Sequence, residues 1–202
     1  MIAPHVVVPV KSLDAAKSRL DLPPDERRAV ARSLAQHTLG TIASTLGGHN
    51  LTVVTADPSV ERLATDLDAN VVHDPDGDLN RAVQRGLSSV SLGSPVLVLV
   101  ADLPRLNSYS LLALLTEVEQ ADSPYFVPDV QGTGTTAIYL PAGWRLPTSF
   151  GPNSASRFMA AGWTRARSAP IEARADLDTI SDFELYGGHL NRSRPVYRAR
   201  QT

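Results

Sequence analysis

The sequence predicts an α/β fold: a mostly parallel sheet flanked by helices, with an antiparallel pair appended to it. Three observations carry that prediction. Strand-like and helix-like segments alternate as βαβαβ from the start of the chain, the order that produces parallel strands joined by right-handed crossovers. The strand segments are nearly unbroken apolar runs, Val6-Val7-Val8, Leu51-Thr52-Val53-Val54 and Val96 to Ala101, as expected of strands covered on both faces. From Tyr125 the order changes, and two β-rich segments follow one another across a glycine-rich turn.

The elements follow in order. His5 to Lys11 opens as a strand that ends at Pro9. The loop after it carries Lys11, Lys17 and Arg19 with little apolar content. Ligands of α/β sheets bind at the carboxyl ends of strands, and cations there suit a polyphosphate; a solvated basic loop explains the same letters. Pro23-Pro24-Asp25-Glu26 reads as a helix start, with proline in the first turn and acid beside the positive end of the dipole. Val30, Leu34, Leu39, Ile42 and Leu46 continue that helix until Gly47-Gly48. Strands are expected at Leu51–Thr55 and Asn70–His73, with a short helix from Pro58 to Leu67 between them. The acidic loop Asp74-Pro75-Asp76-Gly77-Asp78 leads into a helix from Leu79 to Val90. Pro95 to Ala101 is the most apolar run and too short for a buried helix, hence a central strand. Asn107 or Ser108 caps a helix through Val118. Tyr125–Pro128 and Thr135–Leu140 form the antiparallel pair, Asn153 or Ser154 opens a short helix to Ala161, Ala169 to Ala175 reads as a strand, and Thr179 or Ser181 caps a last short helix.

With 202 residues, a single domain over residues 1–190 is expected, followed by a loosely ordered basic tail over 191–202. A hydrophobic share of 43% and a charged share of 20% are those of a globular chain. The net charge of −2 and pI of about 6.2 argue against nucleic acid as a partner. Without cysteine, disulfides, zinc–thiolate sites and cysteine nucleophiles are excluded. No signal peptide is legible, and no apolar stretch approaches the ~18 residues of a membrane span, so a cytoplasmic location is expected. The glycosylation patterns at Asn50 and Asn191 are read as chance. Oligomeric state is not written in the sequence, and a homodimer stays open.

The residues that could carry chemistry are few. Gly132 to Ala137 matches the dinucleotide fingerprint G-x-G-x-x-A, but β-branched residues follow where a helix is required. Glycine there lets backbone N–H groups approach an anion, or serves a hairpin turn. Asp102 leaves the most buried strand and is either a metal ligand or a cap. Asp176 and Asp178, two apart, share one side of an extended segment. Three carboxylates at strand ends suit a hard cation such as Mg²⁺, although Asp178 could equally cap the following helix. Phe150-Gly151-Pro152-Asn153-Ser154 enters a helix and offers an anion site or a plain N-cap. The five histidines lack metal-ligand spacing and read as structural.

In order, Pro9-Val10-Lys11 with Ala16 to Leu20, Gly77-Asp78-Leu79-Asn80, Ala101-Asp102-Leu103-Pro104, Gly132 to Thr136, Phe150-Gly151-Pro152 with Ser154, and Asp176-Leu177-Asp178-Thr179 resemble one family. It is that of the phosphoenolpyruvate and 2-phospho-L-lactate guanylyltransferases of deazaflavin coenzyme F-420 biosynthesis. The resemblance runs from about Val6 to Phe183. It implies a three-layer nucleotidyltransferase sandwich of GT-A or Rossmann-like type, GTP as donor and Mg²⁺, two ions, as cofactor. It implies that Asp102, Asp176 and Asp178 hold metal, with Lys17 and Asp102 catalytic. Thr136, Gly151 and Ser154 would bind the acceptor, Lys11, Lys17 and Arg19 the GTP phosphates, and Leu79 and Asn80 would lie near the nucleoside. Other readings are a nucleotidyltransferase acting on a sugar phosphate or molybdopterin, or a non-catalytic nucleotide-binding regulator.

Overall fold

A computed structural model describes residues 3–18, 20–119, 121–179, 181, 182 and 184. The expectations for Arg19 and for the tail fall outside them.

Seven strands form one sheet in the order β3-β2-β1-β4-β6-β5-β7. β1 (His5–Pro9) lies between β2 (Leu51–Thr55) and β4 (Val96–Leu99), parallel to both, and β3 (Asn70–His73) extends the parallel set beyond β2. β6 (Thr135–Leu140) runs antiparallel to β4 and to β5 (Tyr125–Pro128). The antiparallel pair is therefore spliced on through β6, the one reversed strand among those described, and β5 regains the common direction. β7 (Thr164–Arg165) adds a parallel edge to β5.

Alternation along the strands makes two cores. Val6, Val8, Val53, Leu97 and Leu99 face one side, where α1 (Pro24–Leu46), α2 (Pro58–Asp66) and α4 (Ser108–Val118) pack. Val7, Val54, Val96 and Val98 face the other, under α3 (Leu79–Ser89) and α5 (Ser154–Ala160). The result is the three-layer sandwich. α1 buries Ala31, Leu34, Ala35, Thr38, Leu39 and Ile42, a helical stripe, and ends where Gly47 takes a φ of +85°. α3 lies close on the sheet because Gly86 has no side chain: a Cβ there would sit 2.4 Å from Val7 Cγ1. The caps follow the sequence. Asp57 accepts from the Ser59 N–H, Asp78 from Arg81, and Asn107 and Ser110 form a capping box.

One expectation fails. Ala169 to Ala175 is not a strand but passes through a 3-10 turn at Ile171–Ala173. Pro170 cannot donate to a ladder, and Ile171, 46% exposed, breaks the apparent apolar face. The true strand, β7, precedes it and gave no pattern, because its two residues are both exposed. Among the described residues no helix is long and apolar enough to cross a membrane.

Candidate active site

β1 connects through α1 to β2, while β4 lies on the other flank of β1. Chain connections diverge at that point, which leaves a crevice at the carboxyl ends of the strands. A cleft of about 580 Å³ occupies it, a size usual for a small-molecule site.

The loop after β1 forms one wall. Leu13 and Leu20, each 1% exposed, pin it at both ends, and the Leu13 N–H donates to the buried Asp57 carboxylate at 3.0 Å. Between these anchors Lys17 adopts a φ of +56°, uncommon for a residue with a Cβ. Its side chain, 7% exposed, donates to Asp102 and, at 3.3 Å, to Asp178. Burial by itself would lower the pKa of the Lys17 ammonium, but the charges and hydrogen bonds of Asp102 and Asp178 outweigh it and raise the pKa above the ordinary value. Lys11 lines the cleft and is exposed.

The aspartates converge from distant parts of the chain. Asp102 follows β4, and its carbonyl accepts from the Leu177 N–H at 3.1 Å, which holds the 176–178 segment against the end of β4. Asp176 and Asp178 both line the cleft. Asn107, not Asp102, caps α4, and Asp182 accepts from the N–H groups of Asp178 and Thr179. Burial first, then repulsion from Asp102 and Asp178, pushes the Asp176 carboxyl up from 3.8 to about 7. Three carboxylates that crowd one another are hard oxygen donors of the kind that fits a divalent cation such as Mg²⁺. As the side chains stand, among the described residues no three His, Cys, Asp or Glu groups are arranged around a common ion; the Lys17 ammonium is bonded to two of the three carboxylates.

The opposite wall is the β5–β6 turn and the segment before α5. Thr133, Gly134, Thr135 and Asp129 line it, with Phe150, Gly151, Asn153 and Ser154. Ser154, 1% exposed, donates its hydroxyl to Thr135 Oγ1 at 2.9 Å. Gly151 has a φ of +117°, so only glycine is relaxed there. Neither Asn153 nor Ser154 caps α5 through its side chain, and Asn153 sits in the left-handed region at +57°.

Several sequence expectations need correction. Thr136 does not present its side chain to the cleft: it is fully buried and donates to the Ala173 carbonyl at 2.7 Å. Adjacent strand residues face opposite ways, so the cleft receives Thr135 instead. The glycine turn does not offer free N–H groups to an anion, because those of Thr133 and Gly134 are bonded to the Asp129 carboxylate. Leu79 does line the cleft, but Asn80 turns aside, accepting from Thr148 Oγ1 and the Phe150 N–H and donating to the Phe150 carbonyl. It fixes the loop that delivers Gly151. The dinucleotide fingerprint leads into strand β6, as its β-branched residues foretold. The described histidines are engaged elsewhere, His5 with Thr52, His37 with the Leu106 carbonyl, His49 with Asn50 and His73 with Glu61; His189 lies outside the described residues. Asp129 and Thr135 were missed, although an aspartate opening a glycine turn is a recognisable side-chain-to-backbone motif.

The model of the MobA-like NTP transferase domain matches residues 27–163. The phosphoenolpyruvate guanylyltransferase of Streptomyces coelicolor is 36% identical over 184 residues, 88% of this chain and 86% of the relative. That of Geodermatophilus obscurus is 37% identical over 185 residues, 88% and 85% of the two chains. The chain belongs to the phosphoenolpyruvate guanylyltransferase family. Solved structures share the fold. A protein of Desulfovibrio desulfuricans G20 described as a nucleotide-diphospho-sugar transferase aligns with a TM-score of 0.65 at 15% identity, covering 96% of this chain and 90% of its own. The 4-diphosphocytidyl-2C-methyl-D-erythritol synthase of Anaerococcus prevotii aligns at 0.60 and 11%, covering 93% and 95%. At those identities the likeness is one of fold, and it matches the guanylyltransferase sandwich described above.

Proposed function

We propose that the chain transfers GMP from GTP to the phosphate of phosphoenolpyruvate. An acceptor phosphate oxygen attacks the α-phosphorus of GTP, the bond between that phosphorus and the bridging oxygen breaks, and its electron pair leaves with pyrophosphate. The product is enolpyruvyl-diphosphoguanosine, which the family resemblance makes a precursor of coenzyme F-420. The observation that carries the reading is the joining of two unlike walls in one crevice: cations and carboxylates on one side, and the hydroxyls of Thr135 and Ser154 beside Gly151 on the other.

The residues account for the chemistry without a general base. A phosphate monoester has a second pKa of about 6 and is mostly ionised at neutral pH, in keeping with the described histidines being engaged away from the cleft. The obstacle is repulsion between two polyanions. Lys17 and Lys11 supply positive charge to the triphosphate, Leu79 packs near the nucleoside, and Ser154, Gly151 and Thr135 position the acceptor. Asp102, Asp176 and Asp178 would hold Mg²⁺, which when bound supplies charge neutralisation at the attacking and leaving oxygens. Lys17, bonded to Asp102 and Asp178, would exchange those bonds for phosphate contacts, and the two carboxylates would then be among the residues that hold Mg²⁺.

Pyrophosphate release from GTP is measured with phosphoenolpyruvate, with 2-phospho-L-lactate and with no acceptor, and the product mass is determined. Release that depends on phosphoenolpyruvate supports the reading, preference for 2-phospho-L-lactate reassigns the acceptor, and release no faster than without acceptor refutes it.

A further inference from the structure

The acceptor wall and the carboxylate segment belong to different parts of the chain, yet one network joins them. Its centre is Asp129, at the end of β5, 8% exposed and lining the cleft. Its carboxylate accepts from the N–H groups of Thr133 at 2.9 Å and Gly134 at 2.7 Å, and its carbonyl from the Gly132 N–H at 3.2 Å. The turn is thereby closed on a single side chain. Arg174 completes the link. Its guanidinium donates through Nε to the Pro128 carbonyl at 3.1 Å and through Nη2 to the Asp129 carbonyl at 2.9 Å. Arg174 lies two residues before Asp176, and its neighbour Ala173 is tied to Thr136.

A carboxylate facing a pocket for an anionic acceptor is electrostatically unfavourable. A hairpin turn alone does not require one, since glycine suffices. The geometry assigns a task that offsets the cost: we infer that Asp129 is a positioning residue for the acceptor, holding the 132–135 turn so that Thr133 and Thr135 face the cleft, with Arg174 registering that turn against the segment bearing Asp176 and Asp178. Gly134 belongs to the same device. A Cβ at that position would lie 2.4 Å from Asp129 Oδ2 but 3.7 Å from Asp129 Cβ. Its backbone φ is not in the left-handed region, so an alanine would be refused by the carboxylate and not by the main chain.

The inference rests on the acceptor reading above, and the test separates the two. Steady-state kinetics with GTP and phosphoenolpyruvate are measured for wild type, Asp129→Ala, Gly134→Ala, the double variant and Arg174→Lys, together with thermal melting. Asp129→Ala and Gly134→Ala should each raise the acceptor KM about tenfold or more, the worth of one or two hydrogen bonds, with GTP KM within about twofold. In the double variant Gly134→Ala should add nothing further, because the atom it strikes is gone. Arg174→Lys, which keeps charge but loses the two-pronged geometry, should move the acceptor KM in the same direction. An unchanged acceptor KM in active Asp129→Ala, or additive effects in the double variant, overturns the inference. So does a parallel rise in both KM values with a fallen Tm, which is the mark of general loosening. A wild type inactive on every acceptor refutes the acceptor reading, and this inference with it.

Discussion

Asp176→Asn should make the metal-free protein more stable at alkaline pH while abolishing its activity. The Asp176 carboxyl is lifted from 3.8 to about 7, by burial first and then by Asp102 and Asp178. A carboxylate whose pKa is higher folded than unfolded binds more protons in the folded state between those two values. Stability must therefore fall as pH rises from about 4 to about 7 and stay low above it. At about 1.4 kcal/mol for each tenfold step, the distance from 3.8 to about 7 corresponds to about 4 kcal/mol, a ceiling that relaxation and solvent around a half-buried group reduce. Asparagine has the same shape and no charge, so it removes the slope and recovers up to that amount at pH 8. The assay is urea unfolding in chelator from pH 4 to 8.5, for wild type and variant. Added Mg²⁺ should stabilise wild type at pH 8, by about 2.7 kcal/mol at a hundredfold excess over Kd, and leave the variant nearly unmoved. Identical pH slopes for the two proteins would refute the argument, since the like-charge crowding would then be absent.

Asp102→Asn and Asp178→Asn should abolish turnover while leaving the melting transition cooperative; either variant keeping more than about a tenth of the wild-type rate, a loss of less than about 1.4 kcal/mol of transition-state stabilisation, would sink the metal assignment. Lys17→Ala should raise the KM for GTP and, because its ammonium neutralises Asp102 and Asp178, lower stability in chelator; a normal GTP KM refutes the phosphate contact. Ser154→Ala should raise the acceptor KM more than the GTP KM, and the reverse order would show the two pockets to be interchanged. Phe158 packs against the rings of Phe126, Phe150 and Trp163 at 5.9, 5.7 and 4.8 Å, so Phe158→Ala should cost about 3–5 kcal/mol in urea unfolding, with a loss below about 1 kcal/mol contradicting a fully buried position.

Much of this molecule is legible from its letters. β1, β2, β4, β5 and β6 are encoded by apolar runs buried on both faces, the exposed β3 by its β-branched pair Val71-Val72, and the helix starts by local signals such as Asp57, Asp78 and Asn107, whose caps need only the next few residues. The motifs at Lys11, Asp102 and Gly132 locate the cleft because each comes just after a strand end. Tertiary structure decided the rest. Thr135 and Thr136 are chemically alike, and only the pairing register says which faces the cleft and which is buried against Ala173. β7 is too short and exposed to leave a pattern. The pKa of Asp176 is raised by burial first and then by Asp102, set beside it by the bond from the Leu177 N–H to the Asp102 carbonyl. A sequence specifies periodicity and capping over a few residues; burial, charge crowding and the facing of side chains arise between segments far apart in the chain, and exist only once the sheet has set their order.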